Sequence, residues 1–478
     1  MAEPQSTRLK LNYKRTMLIG FAFFGILLLW QVYDTWCPPF LTDIFARQIY
    51  GVSSKVLKEV NPQGNLDVQW IVGIIMACDN LAALILLPIF GSLSDRTKTP
   101  IGKRMPYILV GTFVSALAFP FIPVLFHFHQ VGGMIAMMAI VLIFMMIYRN
   151  PAVSLMPDIT PKPLRARANG IINIMGYFGG AFAAVLAIFL AASKYIEATD
   201  ELRNFWIIEL PFLIASVLMV ISALILFFTI RENKLAKELK DEMEAGEQLA
   251  AVENPITDDA PMTKANRRML LAILGAEFLW FMADNALGTY ISNYVEYYLH
   301  APSVGLLIIL GGVASVFGFA TAGRIADKIG RKWTISLGLG ISIVALVIMC
   351  FVKPSETVTE KNGIMYHAFP VLLYVVWIVK GYGMALVHNC SFPMVVELCS
   401  NQKIGKFTGY YYASSMAAQT ITPVLLGFIF KASKKWNAMP IYCTILLVCS
   451  CAVFVFLVKN IKAKKVANAR GLEAIDGD

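Results

Sequence analysis

A tryptophan one helical turn ahead of an aspartate occurs twice in this chain, as Trp30 with Asp34 and again as Trp280 with Asp284. Both pairs sit inside long apolar stretches, where a carboxylate is costly and therefore marks a function. At that spacing a helix sets ring and acid on one face. The indole can stack on the CH face of a pyranose while the carboxylate accepts hydrogen bonds from its hydroxyls. Gln31 and Tyr33 join the first pair and Asn285 the second. A further echo links two other stretches, because Arg149 precedes Asp158 at the spacing with which His388 precedes Glu397. Trp377, Lys380 and Asn389 share the stretch of His388. Lys380 lies far from either end of it, so it lines a central cavity or pairs with an acid such as Asp284. The expected substrate-binding set is thus Trp30, Gln31, Tyr33, Asp34, Arg149, Trp280, Asp284, Asn285, Trp377, Lys380, His388 and Asn389.

Proton chemistry has its own candidates. Asp79 falls near the middle of its apolar stretch, where a lone carboxylate keeps its proton unless a cation such as Arg149 pairs with it. Competition for that pairing is a basis for coupling transport to protons. Asp34 is the second candidate titrating group, and depth favours Asp79.

The elements that must hold these residues are membrane-spanning helices. Hydrophobic residues make up 58% of the 478 and charged residues only 15%, with a mean hydropathy of +0.65. That is more apolar surface than a soluble core can hide, so lipid must cover the rest. About twelve stretches approach the roughly 20 residues that cross a bilayer, from 16–36 at the start to 437–458 at the end. The predicted class is an all-α polytopic membrane protein of twelve transmembrane helices in two six-helix bundles. The halves divide at a charged, helix-prone segment, giving an N-terminal bundle over 1–230, a linker over 231–267, a C-terminal bundle over 268–460 and a tail over 461–478.

Charge placement orients the bundle. With the N-terminus cytoplasmic, about 29 Lys and Arg collect on the cytoplasmic side and about 10 on the outer side, as the positive-inside rule requires. Both termini are then cytoplasmic, in a plasma or bacterial inner membrane. The net charge of +10 is topological and gives no indication of nucleic-acid binding, although it will attract anionic lipid. The basic start runs straight into a full-length span without a small-residue cleavage site, so the first helix is expected to be retained. No nucleophile elbow, phosphate-binding glycine loop or Cys/His metal spacing is present in the sequence. An enzyme, a cofactor and a resident metal are therefore not expected, and the expected partners of a monomer are a small-molecule substrate, a proton and lipid.

The segment Gly91-Ser-Leu-Ser-Asp95-Arg96 recurs as Gly323-Arg-Ile-Ala-Asp327-Lys328, each between two spans on the cytoplasmic side. This resembles the signature loop of the major facilitator superfamily. Asp95 can accept at a neighbouring helix N-terminus while Arg96 and Arg104 bridge the cytoplasmic face, so the loop reads as a latch that breaks when the halves separate. Asp158, Asp327, Arg331 and Glu397 complete the expected gating set. The longer run Ser94 to Leu109, with Leu155 to Gly170 after the fourth span, is similar to the glycoside-pentoside-hexuronide cation symporters and to plant-type sucrose-proton symporters. The resemblance implies a sugar or glycoside carrier driven by a cation gradient and working by alternating access. An uncoupled facilitator, or an exporter of another organic solute, remains the alternative.

The sequence departs from that group at one point. Sodium-using members resemble one another in carrying two aspartates on the second span and another on the fourth. Aligning through Pro88, Lys103-Arg-Met-Pro106 and Pro151 puts Ala83, Leu87 and Arg149 at those positions. An arginine there repels Na⁺, so coupling to protons, or none, is expected.

Overall fold

The computed structural model describes residues 9–61, 63–161, 164–192, 201–253, 264–361, 364–396 and 404–458; within these, a few side chains, those of Asp79 and Asp327 among them, fall outside the description. Glu397 and the predicted tail lie outside the described residues.

Among the described residues, twelve helices are long and apolar enough to cross a membrane: Tyr13–Tyr50, Gly64–Arg96, Met105–His127, Val131–Asp158, Gly170–Phe189, Phe205–Thr229, Lys264–Tyr298, Gly305–Ala326, Arg331–Met349, Val371–Val395, Gly409–Ser433 and Ala438–Leu457. They are the first to twelfth spans below. Their outward faces carry a lipid-ready belt including Leu117, Phe228, Phe351 and Phe456, all more than two-thirds exposed. An even number of spans returns the chain to the face from which it starts. The linker helices Glu232–Glu238 and Lys240–Glu253 lie on that face, here called the linker face.

The first helix is much longer than the expected 16–36. It continues through Pro38 and Pro39 to Tyr50 and is capped by Gly51 in the left-handed conformation at φ 75°. Its far end is buried from Trp36 to Ala46, so packing holds helical a segment whose prolines each remove one backbone donor. A two-stranded antiparallel hairpin on the far face, Val358–Lys361 against Ile364–His367, was not anticipated from hydropathy.

Within each half, small residues let backbones meet. Gly176 and Gly179 of the fifth span seat Leu27 and the Phe24 carbonyl of the first, and Gly318 of the eighth seats Ala385 of the tenth. Without a hydrophobic force between helices in lipid, close dispersion contact of this kind is what binds them.

The two halves meet toward the far face. Asn293 of the seventh span donates to Thr42 Oγ1 of the first and to Gln69 Oε1 of the second, both at 3.0 Å, and Gln69 donates to Thr42 Oγ1 at 3.2 Å. Asn293, Thr42 and Gln69 are fully buried. The Tyr290 hydroxyl of the seventh span reaches the Gln69 carbonyl of the second at 3.2 Å, and Tyr297 reaches Ser54 at 3.2 Å. At the rim Lys434 pairs with Asp67, and Lys431 lies over the Trp70 ring. Lys58 reaches the Glu296 carbonyl. Burial lowers the Lys58 ammonium, and the Glu296 charge offsets that in part. The hydrogen bonds and ion pairs described between the halves all belong to this region. The molecule is therefore closed at the far face.

Backbone proximity makes this closure possible. A Cβ on Gly427 would lie 2.5 Å from the Gln69 carbonyl oxygen and 2.7 Å from Trp70 Cα, and one on Gly73 would collide with the Pro423 carbonyl. Gly427→Leu should wedge the second and eleventh spans apart and shift the equilibrium toward far-face opening by on the order of 1–3 kcal/mol, the usual cost of overpacking. Thr289→Cys, in a background without exposed cysteines, reports the shift. Labelling by a membrane-impermeant maleimide from the far side should rise at least several-fold in the Gly427→Leu protein, and an unchanged rate would show that the seam tolerates the side chain.

Candidate functional site

A cavity of about 290 Å³ lies between the halves. The first span lends it Leu27, Trp30 and Asp34, the second Met76, Asn80 and Ala83, and the fourth Met146 and Arg149. From the other half come Asn285, Gly288 and Thr289 of the seventh span and Gln419 of the eleventh. Four residues of the expected binding set, Trp30, Asp34, Arg149 and Asn285, thus come together on one wall or another. Ala83 stands in the lining where a sodium-using relative's aspartate is expected, with Arg149 beside it in the same cavity.

Two polar atoms in this cavity's walls are unsatisfied among the described residues. The Trp30 indole N–H is a buried donor and the Asn285 carbonyl oxygen a buried acceptor, each without a hydrogen-bond partner. Leaving such groups unpaired costs about 1–3 kcal/mol each, a cost that a polyhydroxylated ligand would relieve. Prolines interrupt the helical bonding next to the cavity. Pro38 and Pro423 sit four residues after Asp34 and Gln419 and have no N–H to give to those carbonyls.

The expected partnership of Lys380 with Asp284 is present. Lys380 Nζ lies 2.5 Å from Asp284 Oδ1, and His388 Nε2 is 3.6 Å from Asp284 Oδ2. The Lys380 ammonium also lies 5.2 Å from the centre of the Trp377 ring, and Phe281 stacks obliquely on His388 at 5.2 Å. Tyr177 of the fifth span is within electrostatic reach of Asp284 from the opposite half. This cluster neighbours Asn285 in sequence but is held together within the C-terminal half. Asn389 is exposed, Gln31 is bound to Thr35 along its own helix, and Tyr33 is fully buried with its ring edge-on to Trp30 at 5.9 Å.

Trp280 is not where the repeat places it. It is fully buried, tilted against Phe454 of the twelfth span at 5.8 Å, and does not line the cavity. The repeated pair has diverged in use, because Trp280 turns to the twelfth span within its own bundle while Trp30 faces the centre. Asn150, a polar residue next to Arg149, is structural: its amide donates to the Leu87 carbonyl and lies against Gly91.

The latch also differs from the expectation. Arg104 is 4% exposed; its Nε donates to Asp158 at 2.8 Å and its other nitrogens reach Ser94 and Asp95. Lys103 reaches Asp158 at 3.1 Å. Burial works to lower the Arg104 guanidinium, but the hydrogen bond and charge of Asp158, then those of Asp95, raise it above its ordinary value. All of these groups belong to the N-terminal half, so the latch ties the second, third and fourth spans to one another and, among the described residues, does not bridge the halves. The acceptor at the third span's N-terminus is Glu232 of the linker, not Asp95. Its carboxylate accepts from the backbone N–H groups of Lys103 at 3.0 Å and of Arg104 at 3.0 Å. Gly102, at φ 117°, leaves room for it, since a Cβ there would collide with that carboxylate. An acid directly after the sixth apolar run was the available signal for Glu232. Arg96 is exposed, and Arg331 opens the ninth span at the corresponding place in the C-terminal half.

Sequence reasoning also passed over Glu277, three residues before Trp280 and fully buried in the seventh span. Its signal was plain, an acid well inside an apolar run.

Neutralising one member of the Lys380–Asp284 pair strands the other. Lys380→Met and Asp284→Asn should each lower thermal stability in detergent, and the double variant should recover part of the loss. With Asp284 about one-third exposed, the coupling is expected on the order of 1–2 kcal/mol, below the 3–5 typical of a fully buried pair. Additive losses in the double-mutant cycle would show that the pair is not a stabilising unit.

Comparison with known proteins fits this architecture. The chain is similar to the multidrug resistance protein MdtG of Salmonella schwarzengrund (strain CVM19633), 23% identical over 426 residues, which span 85% of this chain and 94% of that protein. Among solved structures, its fold matches the nucleoside transporter NupG at a TM-score of 0.64 with 12% identity, over 93% of this chain and 100% of that one. It matches the inward-open xylose transporter XylE from E. coli at 0.62 with 14% identity, over 96% and 98%. The family model described as Major Facilitator Superfamily matches residues 19–359 and 273–475. A twelve-helix transporter fold and a family match running through both halves have one reading, that this chain belongs to the major facilitator superfamily.

Proposed function

We propose that this protein is a secondary transporter that takes up a sugar or glycoside by alternating access, driven by protons. The observation that carries the reading is the cavity: an unpaired indole donor on Trp30, an unpaired amide acceptor on Asn285, and the charged pair of residues Asp34 and Arg149 around one space between the halves. A solute dense in hydroxyls supplies donors and acceptors to all of them, and the Trp30 ring offers a face for a pyranose. Closure at the far face then corresponds to an inward-facing state, with the linker face cytoplasmic on the charge asymmetry of the loops. Asp34 and Asp79 are the proposed titrating groups near the substrate, with Arg149 as their competing cation. Asp95, Arg96, Arg104, Asp158, Asp327, Arg331 and Glu397 make up the proposed gating set, and the working unit is a monomer in lipid.

The similarity to MdtG favours a second reading, export of amphipathic compounds. Against it stands the polarity of the cavity. An exporter of that kind is served by apolar walls, whereas polar side chains from five spans line this one, and Lys380 of a sixth pairs with Asp284 beside it.

Reconstituted in proteoliposomes and offered a panel of mono- and disaccharides, the protein should accumulate at least one of them under an inward proton gradient. A sodium gradient at constant pH and membrane potential should add nothing. Asn285→Leu and Trp30→Phe should each weaken half-saturation by roughly 5- to 100-fold, the equivalent of a lost buried hydrogen bond. Sodium-stimulated uptake would overturn the choice of ion, and extrusion of a lipophilic cation with no sugar uptake would install the second reading.

A further inference from the structure

Glu277 has no part in the cavity, the Lys380 cluster or the latch. It is 0% exposed, and neither of its carboxyl oxygens has a hydrogen-bond partner among the described residues. The helices packed around it offer little else. From the eleventh span, Tyr411 stands within electrostatic reach, its hydroxyl engaged with Ser391 of the tenth at 2.8 Å, and Ser414 is committed to the Leu274 carbonyl at 3.0 Å. From the twelfth, Ser450 donates to the Ala276 carbonyl at 2.9 Å. On the tenth, His388 faces Phe281 and Asp284, one and two turns further along the seventh span. On the seventh itself, the Trp280 N–H is also buried and unpaired.

An ionised carboxylate without a partner in such a place costs several kcal/mol, which the neutral acid largely avoids. Even the neutral acid gains nothing here that an apolar side chain would not supply. Its value must be realised in the other conformation, which repacks the same helices. We propose that Glu277 is a proton-carrying site of the C-terminal half, protonated in the far-face-closed state and ionised in the far-face-open one. In the closed state the seam of the seventh, tenth, eleventh and twelfth spans is dry and holds the carboxylic acid. When the halves exchange closure, the seam admits water, the O–H bond breaks, the proton passes to that water and the carboxylate is solvated. Tyr411 and Ser391, joined across two helices, are the groups whose movement opens the seam. This rests on the reading of the protein as an alternating-access carrier, and it adds a proton site in the half opposite Asp34 and Asp79.

The test needs no substrate. Nitroxide labels on Gln63→Cys and Lys435→Cys, both exposed at the far face, report far-face opening in reconstituted protein with Cys78 and Cys449 replaced by Ser. Raising the pH from 6.5 to 9.5 should increase the long-distance population several-fold in the Glu277 parent. That window lies above the range in which the far-face His300 changes charge, since burial, Lys58 and His367 lower it to about 4. Glu277→Gln should hold the short distance at every pH, and Glu277→Asp should respond with a displaced midpoint. A Glu277→Gln protein that follows the parent's curve, or a parent without any response, would overturn the proposal; should Glu277→Gln fail to fold, an undisplaced midpoint in Glu277→Asp does the same. Sugar accumulation under a proton gradient is measured on the same vesicles. Its failure beside an intact distance response removes the uptake reading and leaves the proton site standing.

Discussion

Hydrocarbon supplies no hydrogen-bond partner, so each polar atom within the membrane must find one in the protein, in a water-filled cavity or in a ligand. The organisation of this molecule follows from how it meets that demand. Backbone groups are spent in helices. Many side-chain groups are paired with one another, as the Asn293 amide N–H is with Thr42 and Gln69, and others gather around the central space. Among the buried atoms left without a partner, Trp30 Nε1 and Asn285 Oδ1 are informative because they stand in the walls of the central cavity, and the Glu277 carboxyl because it is an acid.

Glycine and proline set where this accounting is done. Gly73 and Gly427 let the second and eleventh spans touch backbone to backbone, which brings Gln69 and Tyr290 into range of their partners. Proline acts in the opposite sense. By withholding a donor, Pro38 and Pro423 remove the regular helical bond to the carbonyls of Asp34 and Gln419. Close packing at the far face and loosened backbone at the centre are two results of the same two residue types, and the fold needs both to place a polar space between bundles that are otherwise tightly joined.

Much of this was legible in the sequence. Hydropathy located all twelve spans, because a bilayer imposes a length that few other structures imitate, and the intramembrane charges located Asp34, Arg149 and the Lys380–Asp284 pair. What hydropathy cannot encode is direction around a helix when every face is apolar. Trp280 was placed in the cavity by analogy with Trp30, yet its face of the seventh span meets Phe454 instead. Glu277 did stand out as an acid inside an apolar run, but hydropathy gave it no face and no partner. The cap of the third span differs for another reason: which carboxylate sits there depends on where the linker helix docks, a tertiary fact that no local pattern around Asp95 contains, whereas Asp95, Arg104 and Asp158 do meet.

The far-face closure has a character that its composition determines. Its centre is amide and hydroxyl, with Asn293, Gln69, Thr42 and Tyr290 buried and uncharged, while charges stand around it: Lys434 with Asp67, Lys58 near Glu296, and Asp43 behind Ser54. Mobile ions screen charges in water over about 8 Å at physiological ionic strength but have little purchase on buried neutral dipoles. The neutral centre of the seam is thereby insulated from the salinity of the medium, which acts on the charges around it.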